Sequence, residues 1–165
     1  MTDISARPSW NDYFLEIAEA VSRRGDCTRR QVGAVIVTQD HRIVSTGYNG
    51  APPGDRGCLS AGACPRGQHL KIYSRTTIQV ERNGMFSCTC GNAWPCEQYV
   101  EPGSSYDTGA GACIALHAEQ NALLYAFRAV RGADMFITDK PCDGCLKLIR
   151  GAQIRFIVTP SWVSI

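Results

Sequence analysis

Two short motifs place the strongest constraint on what this chain can fold into. The first is His117-Ala118-Glu119 and the second is Pro141-Cys142-Asp143-Gly144-Cys145. The imidazole of His117 and the thiolates of Cys142 and Cys145 supply three ligands for a tetrahedral zinc and leave the fourth position for water. The fold must therefore bring two separate stretches of chain to one point.

Helix starts explain how these side chains could meet. His117 and Glu119 are predicted near the start of one helix, and the two cysteines near the start of the next, with Pro141 in its first turn. Residues three apart share a helix face, so both sulfurs can reach one ion. The unpaired N–H groups at a helix start also favour thiolates.

The complete pattern, H-x-E followed by P-C-x-x-C, is typical of zinc-dependent nucleobase deaminases. Zinc lowers the pKa of a bound water, and Glu119 is predicted to take a proton from that water and deliver protons to the ring nitrogen and the departing ammonia. The alternatives are a structural zinc site or a buried cysteine pair beside a core histidine. Structural sites normally use four protein ligands, and only three fall into this pattern, which favours catalysis.

Composition bounds the remaining possibilities. The chain has 165 residues, is 44% hydrophobic and 19% charged, and carries a formal charge of +2, so we expect one globular domain over residues 1–165. The small charge does not favour a nucleic-acid partner. Neither a signal peptide nor a membrane span is expected, which predicts a cytoplasmic protein and no membrane partner. Nine cysteines, an odd number, then fit metal ligands better than disulfides.

The hydrophobic pattern predicts a helix, two strands, a long insertion, and then alternating helices and strands. Ser9 is a predicted N-cap, with Asp12 three residues on. The predicted elements are a helix over 9–24, strands over 32–37 and 43–48, a Cys-rich insertion at about 51–113 with a faint strand over 72–81, a helix from about 115 to 132, a strand over 135–137, a helix over about 141–150 and a strand over 154–158. This order predicts a mixed sheet with helices on its faces.

The chain resembles the deoxycytidylate (dCMP) deaminase family of the cytidine deaminase superfamily. The segments that carry the resemblance are Arg7–Trp10 with Tyr13-Phe14, Cys27–Val37, Ser45–Pro52, His117–Ala122 and Pro141–Cys145. The resemblance implies a three-layer α/β/α cytidine deaminase-like fold with about five strands. It also implies zinc-dependent hydrolysis of dCMP, or of a close cytosine nucleotide, to dUMP and ammonia.

The same resemblance implies roles for residues outside the zinc motif. Asn49 is expected to hydrogen-bond the sugar, and the strand at Val32–Ala34 to line the base pocket with Ala34. For Asn49 the alternative is a turn residue, since Asn-Gly favours turns. Arg29 and Arg30 could hold the phosphate through a guanidinium, or could simply be solvated.

A second, structural zinc is also implied, because some family members bind one through residues equivalent to Cys27 and Cys58. Cys113 could add a third ligand. Further candidates in the insertion are Cys64, His69, Cys88, Cys90 and Cys96. Metal binding would offset the entropy of ordering a long insertion. The alternative is that several of these cysteines are small buried residues.

The resemblance also bears on oligomeric assembly and regulation, and the sequence leaves rival functions to be tested. Family members are often homo-oligomers regulated by dCTP and dTTP, and Tyr125 and Arg128 could meet a neighbouring subunit or stand in solvent. The chain ends soon after the strand around Ile157, so the fifth strand is expected to be short, absent or supplied differently. Rival functions are deamination of a nucleoside, a modified pyrimidine or a tRNA adenosine, and a non-catalytic zinc module that binds a partner.

Overall fold

The computed structural model describes residues 7–27, 30–55, 57–61, 78–80, 86–88, 113–127 and 129–164. The chain divides into two compact units. The core unit comprises Met1–Gly25, Gln31–Asn49 and His117–Ile165, and the insertion unit comprises Asp26–Arg30 and Gly50–Leu116. Within the described part of the chain, no helix has both the length and the apolar character needed to cross a membrane.

The elements follow the predicted order. They are α1 (Trp10–Ser22), β1 (Gly33–Val37), β2 (Ile43–Tyr48), α2 (Cys58–Ala61), β3 (Ile78–Val80), β4 (Phe86–Cys88), α3 (Ala118–Leu124), β5 (Asp134–Ile137), α4 (Asp143–Gly151), β6 (Phe156–Thr159) and β7 (Trp162–Ser164).

A five-stranded mixed sheet in the order β2-β1-β5-β6-β7 organises the core unit. Strand β1 pairs antiparallel with both β2 and β5, so Ala34 lies opposite Gly47 on one side and Ile137 on the other. Strands β5 and β6 are parallel, and β7 turns back antiparallel to β6. The predicted mixed sheet is confirmed. Its fifth strand, β7, is short and forms a hairpin with β6.

Alternation along the strands divides the core between the two faces of the sheet. Helix α1 covers one face, where Phe14 and Ala18 pack with the odd positions of β1, Val35 and Val37. Helices α3 and α4 cover the other face, whose buried cluster includes Ala34, Ile36, Ala118, Ala122, Cys145 and Ile149. These layers confirm the three-layer α/β/α fold, and they leave β1 buried along its whole length.

Helix α1 begins as the sequence predicts. The Ser9 hydroxyl accepts a hydrogen bond from the Asp12 backbone N–H at 3.1 Å and donates to the Asp12 carboxylate at 2.6 Å. This N-cap satisfies one of the N–H groups that a helix start leaves unpaired. The helix ends at Ser22, slightly earlier than predicted.

Two helix boundaries differ from the prediction. Helix α3 ends at Leu124 rather than near Gly132, because Tyr125 leaves helical geometry at φ −101° and ψ 14°. The chain then turns back towards the sheet and enters β5 through Gly132, whose φ of +75° suits a residue without a side chain. Helix α4 begins at Asp143 with Cys142 as its N-cap, so Pro141 precedes the helix instead of occupying its first turn.

The insertion unit contains a short helix and a hairpin. The Asp26 carboxylate accepts a hydrogen bond from the Leu59 backbone N–H at 2.7 Å, in the first turn of α2. Strands β3 and β4 pair antiparallel, with Ile78 opposite Cys88. Gly50 and Leu116 exchange two backbone hydrogen bonds, of 3.1 and 2.9 Å, so the two ends of the long insertion are paired to each other.

Helix α3 lies unusually close to strand β2. A Cβ atom added at Gly47 would sit 2.2 Å from the Ala118 carbonyl oxygen and 2.3 Å from the Ala122 backbone nitrogen. Next to this contact, the buried Ser45 hydroxyl donates to the Ala122 carbonyl at 2.6 Å. Only glycine at position 47 permits this approach, because the neighbouring atoms belong to the backbone and cannot rotate away.

We therefore expect Gly47→Ala to lower the free energy of unfolding by roughly 3 kcal/mol, through overpacking against helix backbone. Gly151→Ala is the matched control, since a Cβ there meets nothing within 4 Å. Replacing a helical glycine by alanine should leave the protein unchanged or more stable by up to about 1 kcal/mol. Urea denaturation of both variants tests this. Equal stability of Gly47→Ala and the unchanged protein would contradict the close-approach argument.

Candidate metal centre

Three side chains from two helix starts meet in the core unit. The His117 Nδ1 atom lies 3.5 Å from the Cys142 sulfur and 3.3 Å from the Cys145 sulfur. A tetrahedral zinc with ordinary bond lengths sets its nitrogen and sulfur ligands about 3.5 Å apart. All three ligand atoms lie within 4.8 Å of one another, and within the described ranges no other group of three such side chains does so. The donor set and its spacing therefore fit zinc.

The N-cap conformation aims two of these ligands. His117 caps α3 with φ −73° and ψ 158°, and its own backbone N–H donates to the Gln120 side-chain oxygen at 2.7 Å. Cys142 caps α4 with φ −75° and ψ 167°, and its sulfur accepts from the Cys145 backbone N–H at 3.4 Å. The side chain of an extended N-cap residue points back over the first turn of its own helix. The Cys142 side chain therefore lies over the first turn of α4, which contains the third ligand, Cys145.

Glu119 lies beside the ligands in the first turn of α3. Glu119 is only 4% exposed. Burial raises the pKa of its carboxyl, while its backbone hydrogen bond, the nearby His117 and the neighbouring Cys145 thiol oppose this rise. A buried carboxyl with a raised pKa can exchange protons more readily near neutral pH than an exposed one.

Burial also raises the pKa of the Cys145 thiol, and the nearby Glu119 and Cys142 add to that rise. Two thiolates and a carboxylate so close together repel one another and lose hydration, so they cannot all ionise at low cost on their own. A divalent cation would remove this penalty, because it binds the thiolate form and reverses the local electrostatics. The chemistry of the donor set therefore agrees with its geometry.

Three of the four predicted substrate contacts belong to the described residues. Asn49 is buried directly after β2, and its side-chain oxygen accepts a hydrogen bond from the Val32 backbone N–H at 2.8 Å. Ala34 is fully buried in β1. Arg30 is exposed and belongs to the insertion unit, while Arg29 is outside the described residues. The roles predicted for these four residues stay predictions.

The candidate ligands of a second metal all belong to the insertion unit. Cys58 is buried, and Cys27 and Cys113 are half-buried. The Cys27 sulfur accepts the Arg30 backbone N–H at 3.5 Å. Cys88 is the last residue of β4, whereas Cys64, His69, Cys90 and Cys96 lie outside the described residues.

Two polar residues at this site are absent from the sequence-based prediction. The Gln120 side-chain oxygen accepts a hydrogen bond from the His117 backbone N–H, and the Asn121 side-chain amide donates to the Tyr48 carbonyl at 2.6 Å. A glutamine three residues after an N-cap is a known capping pattern and could have indicated Gln120. Asn121 carries no such local signal, because its partner belongs to a distant strand.

A three-layer α/β/α core that brings together a histidine, two cysteines and a buried glutamate defines a zinc-dependent deaminase. More particularly, residues 8–160 match the family model described as the cytidine and deoxycytidylate deaminase zinc-binding region, and the chain belongs to that family.

Individual relatives agree with this assignment. The chain is 40% identical over 157 residues to a deoxycytidylate deaminase of Mycobacterium phage D29, covering 94% of this chain and 97% of the relative. It is 34% identical over 154 residues to that of Schizosaccharomyces pombe, covering 92% of this chain but only 37% of the yeast protein. A cyanophage S-TIM5 dCMP deaminase, solved in complex with dCMP and dUMP, has the same fold, with a TM-score of 0.56, 23% identity and coverage of 93% of this chain and 82% of the other.

The bond between Gln120 and the His117 N–H generates a prediction for metal retention. Gln120→Leu should lower the free energy of unfolding by about 1–2 kcal/mol, because it leaves a partly buried N–H without its partner. It should also release zinc at a lower chelator concentration, because His117 loses its support. Urea denaturation and chelator titration measure the two effects. Gln120→Glu keeps the acceptor oxygen and should resemble the unchanged protein; identical behaviour of the leucine variant would refute the support role.

Proposed function

We propose that this protein deaminates dCMP hydrolytically to dUMP and ammonia, with zinc held by His117, Cys142 and Cys145 and with Glu119 as general acid and base. The observation that carries the proposal is the buried Glu119 in the first turn of the helix that His117 caps, next to three convergent ligand side chains. This arrangement puts a proton-transfer group beside a metal-binding set that lacks a fourth side chain within the described residues.

Zinc, when bound, would supply a water acidic enough to act as a nucleophile near neutral pH. Glu119 would accept one proton from the attacking water and deliver it to N3 of the cytosine ring as the C–O bond forms at C4. It would then take the remaining proton from the new C4 hydroxyl and deliver it to the amino nitrogen. The C–N bond breaks as the C4 carbonyl forms, and ammonia leaves. Burial of Glu119 keeps its carboxyl away from bulk water while it carries the proton.

Substrate identity rests on the relatives. Two proteins that are 40% and 34% identical to this chain are deoxycytidylate deaminases. Asn49, Ala34, Arg29 and Arg30 are the proposed contacts to the nucleotide, with Asn49 at the sugar and the arginines at the phosphate. Deamination of another pyrimidine or of a tRNA adenosine is the alternative, and the low net charge of +2 does not favour the tRNA.

Glu119→Gln should retain zinc and fold but lose at least a hundredfold in kcat on dCMP, since the amide cannot transfer the proton. Release of ammonia from dCMP, dCTP, deoxycytidine and a tRNA stem measures both activity and preference, with dCMP expected to be best. Glu16→Gln, on the exposed face of α1, is the control for loss of one carboxylate. Turnover of the tRNA stem alone would overturn the substrate proposal, and an undiminished Glu119→Gln variant would overturn the mechanism.

A second, structural zinc in the insertion unit is part of the proposal, with Cys27, Cys58 and Cys113 as ligands and Cys88 and Cys90 as further candidates. The support is a shared local geometry. The Cys27 sulfur accepts the N–H three residues later at 3.5 Å, as the Cys142 sulfur does at 3.4 Å. In addition, Asp26 binds the Leu59 N–H, which ties the residue before Cys27 to the residue after Cys58.

Elemental analysis should find two zinc ions per chain. Cys27→Ser should leave one ion and a less stable protein with residual deaminase activity, because structural zinc contributes directly to folding. Cys145→Ser is the matched variant at the other centre: it should also leave one ion but abolish activity. One zinc per chain in the unchanged protein would refute the second site.

The remaining predictions stand as proposals of the same kind. We propose a homo-oligomer that responds to dCTP and dTTP, built from chains with a single deaminase domain each. Of the two residues predicted at a subunit contact, Tyr125 is exposed, and Arg128 lies outside the described residues. Light scattering with and without dCTP and dTTP measures the assembly and its response to these nucleotides.

We also propose a cytoplasmic location, because a reducing compartment keeps thiols such as Cys142 and Cys145 available for metal.

A further inference from the structure

The peptide group between Tyr48 and Asn49 is held on both sides. Its carbonyl, on Tyr48, accepts a hydrogen bond from the Asn121 side-chain amide at 2.6 Å. Its N–H, on Asn49, donates to the Val32 carbonyl at 3.2 Å. A peptide plane fixed by both of its polar groups has little freedom to rotate, so the backbone at Asn49 is oriented before any ligand arrives.

The Asn49 side chain is oriented by the same neighbours. A backbone N–H can only donate, so the Asn49 atom 2.8 Å from the Val32 nitrogen must be the oxygen, and the amide NH₂ is at the other end. Gly25 packs against that oxygen so closely that a Cβ atom there would lie 2.7 Å from it. The Gln31 side chain donates to the Gly25 carbonyl at 2.8 Å, and this hydrogen bond holds Gly25 against Asn49.

Asn121 joins this assembly to the helix of the metal centre. It lies in α3 two residues after Glu119, and its backbone N–H donates to the His117 carbonyl at 3.0 Å. Its side chain therefore links the helix that carries the proton-transfer group to the strand end that carries Asn49. The Ser45 hydroxyl also links β2 to α3, through its hydrogen bond to the Ala122 carbonyl, but Ser45 lies further from Asn49 along the strand.

We propose that Asn121 is a positioning residue that sets where Asn49 holds the substrate relative to Glu119. It acts through the Tyr48–Asn49 peptide and touches no reacting atom. The inference rests on the proposed function, in which Asn49 contacts the substrate and Glu119 transfers the proton. Small displacements between a substrate contact and a catalytic group can cost a large part of the rate, so a short, directional link between the two matters for activity.

The experiment is a double-mutant cycle on kcat/KM for dCMP, with zinc content and thermal stability measured on every variant. Asn121→Leu removes the donor at nearly constant size and adds no charge. It should lower kcat/KM about tenfold while zinc content stays the same. In an Asn49→Ala background, the same change should cost less than about twofold, because the contact that Asn121 positions has already gone.

Ser45→Ala is the matched control, because it removes a hydrogen bond of equal length between the same two elements. It should leave kcat/KM within about twofold of the unchanged protein. Equal losses from Ser45→Ala and Asn121→Leu, or an equal cost of Asn121→Leu with and without Asn49, would show a merely structural link and overturn the proposal. Asn121→Ala, which also lacks the donor and adds no charge, replaces Asn121→Leu in the cycle if the leucine variant does not fold.

Failure of the proposed function gives a different result. If the unchanged protein turns over another substrate in place of dCMP, the substrate assignment fails, and the same cycle is measured on that substrate. If dCMP is turned over but Asn49→Ala has full kcat/KM, the role of Asn121 is refuted while deamination stands.

Discussion

Helix α3 can bring His117 and Glu119 over the sheet because strand β2 has no side chain where the helix crosses it. Gly47 lets the Ala118 carbonyl and the Ala122 nitrogen approach the strand backbone, and the Ser45 hydroxyl donates a hydrogen bond to the Ala122 carbonyl beside this contact. The small side chains of Ala118 and Ala122 complete this contact and are fully buried. The position of the helix start, and with it the site, depends on this backbone-to-backbone packing.

The site itself combines groups that would be unfavourable neighbours without a cation. Glu119 and Cys145 are buried together, and burial raises the pKa of each. The same closeness that makes the set costly when it is ionised makes it selective for a small, doubly charged ion that thiolates bind well. Metal affinity and an elevated glutamate pKa are thus two results of one packing arrangement.

Much of this could be predicted from the sequence because the decisive signals are local. The spacing of Cys142 and Cys145, the capping residue Ser9 and the β-branched run of β1 each report on structure within a few residues. The length of α3 could not be predicted, since apolar residues beyond Leu124 continue the helical spacing although the chain turns back to the sheet. Tertiary contacts such as Asn121 with Tyr48 join residues far apart in sequence, and a single sequence carries no pattern for them.

The paired ends of the insertion have a consequence for how this fold can diversify. Gly50 and Leu116 close the insertion at its base, immediately after Asn49 and immediately before His117. The entropy of closing a loop grows only with the logarithm of its length, by about 0.6 kcal/mol for each doubling. The chain between Gly50 and Leu116 can therefore be replaced by segments of very different size and chemistry at small thermodynamic cost. Asn49 and His117, which flank the insertion in sequence, lie outside the segment that such an exchange would replace.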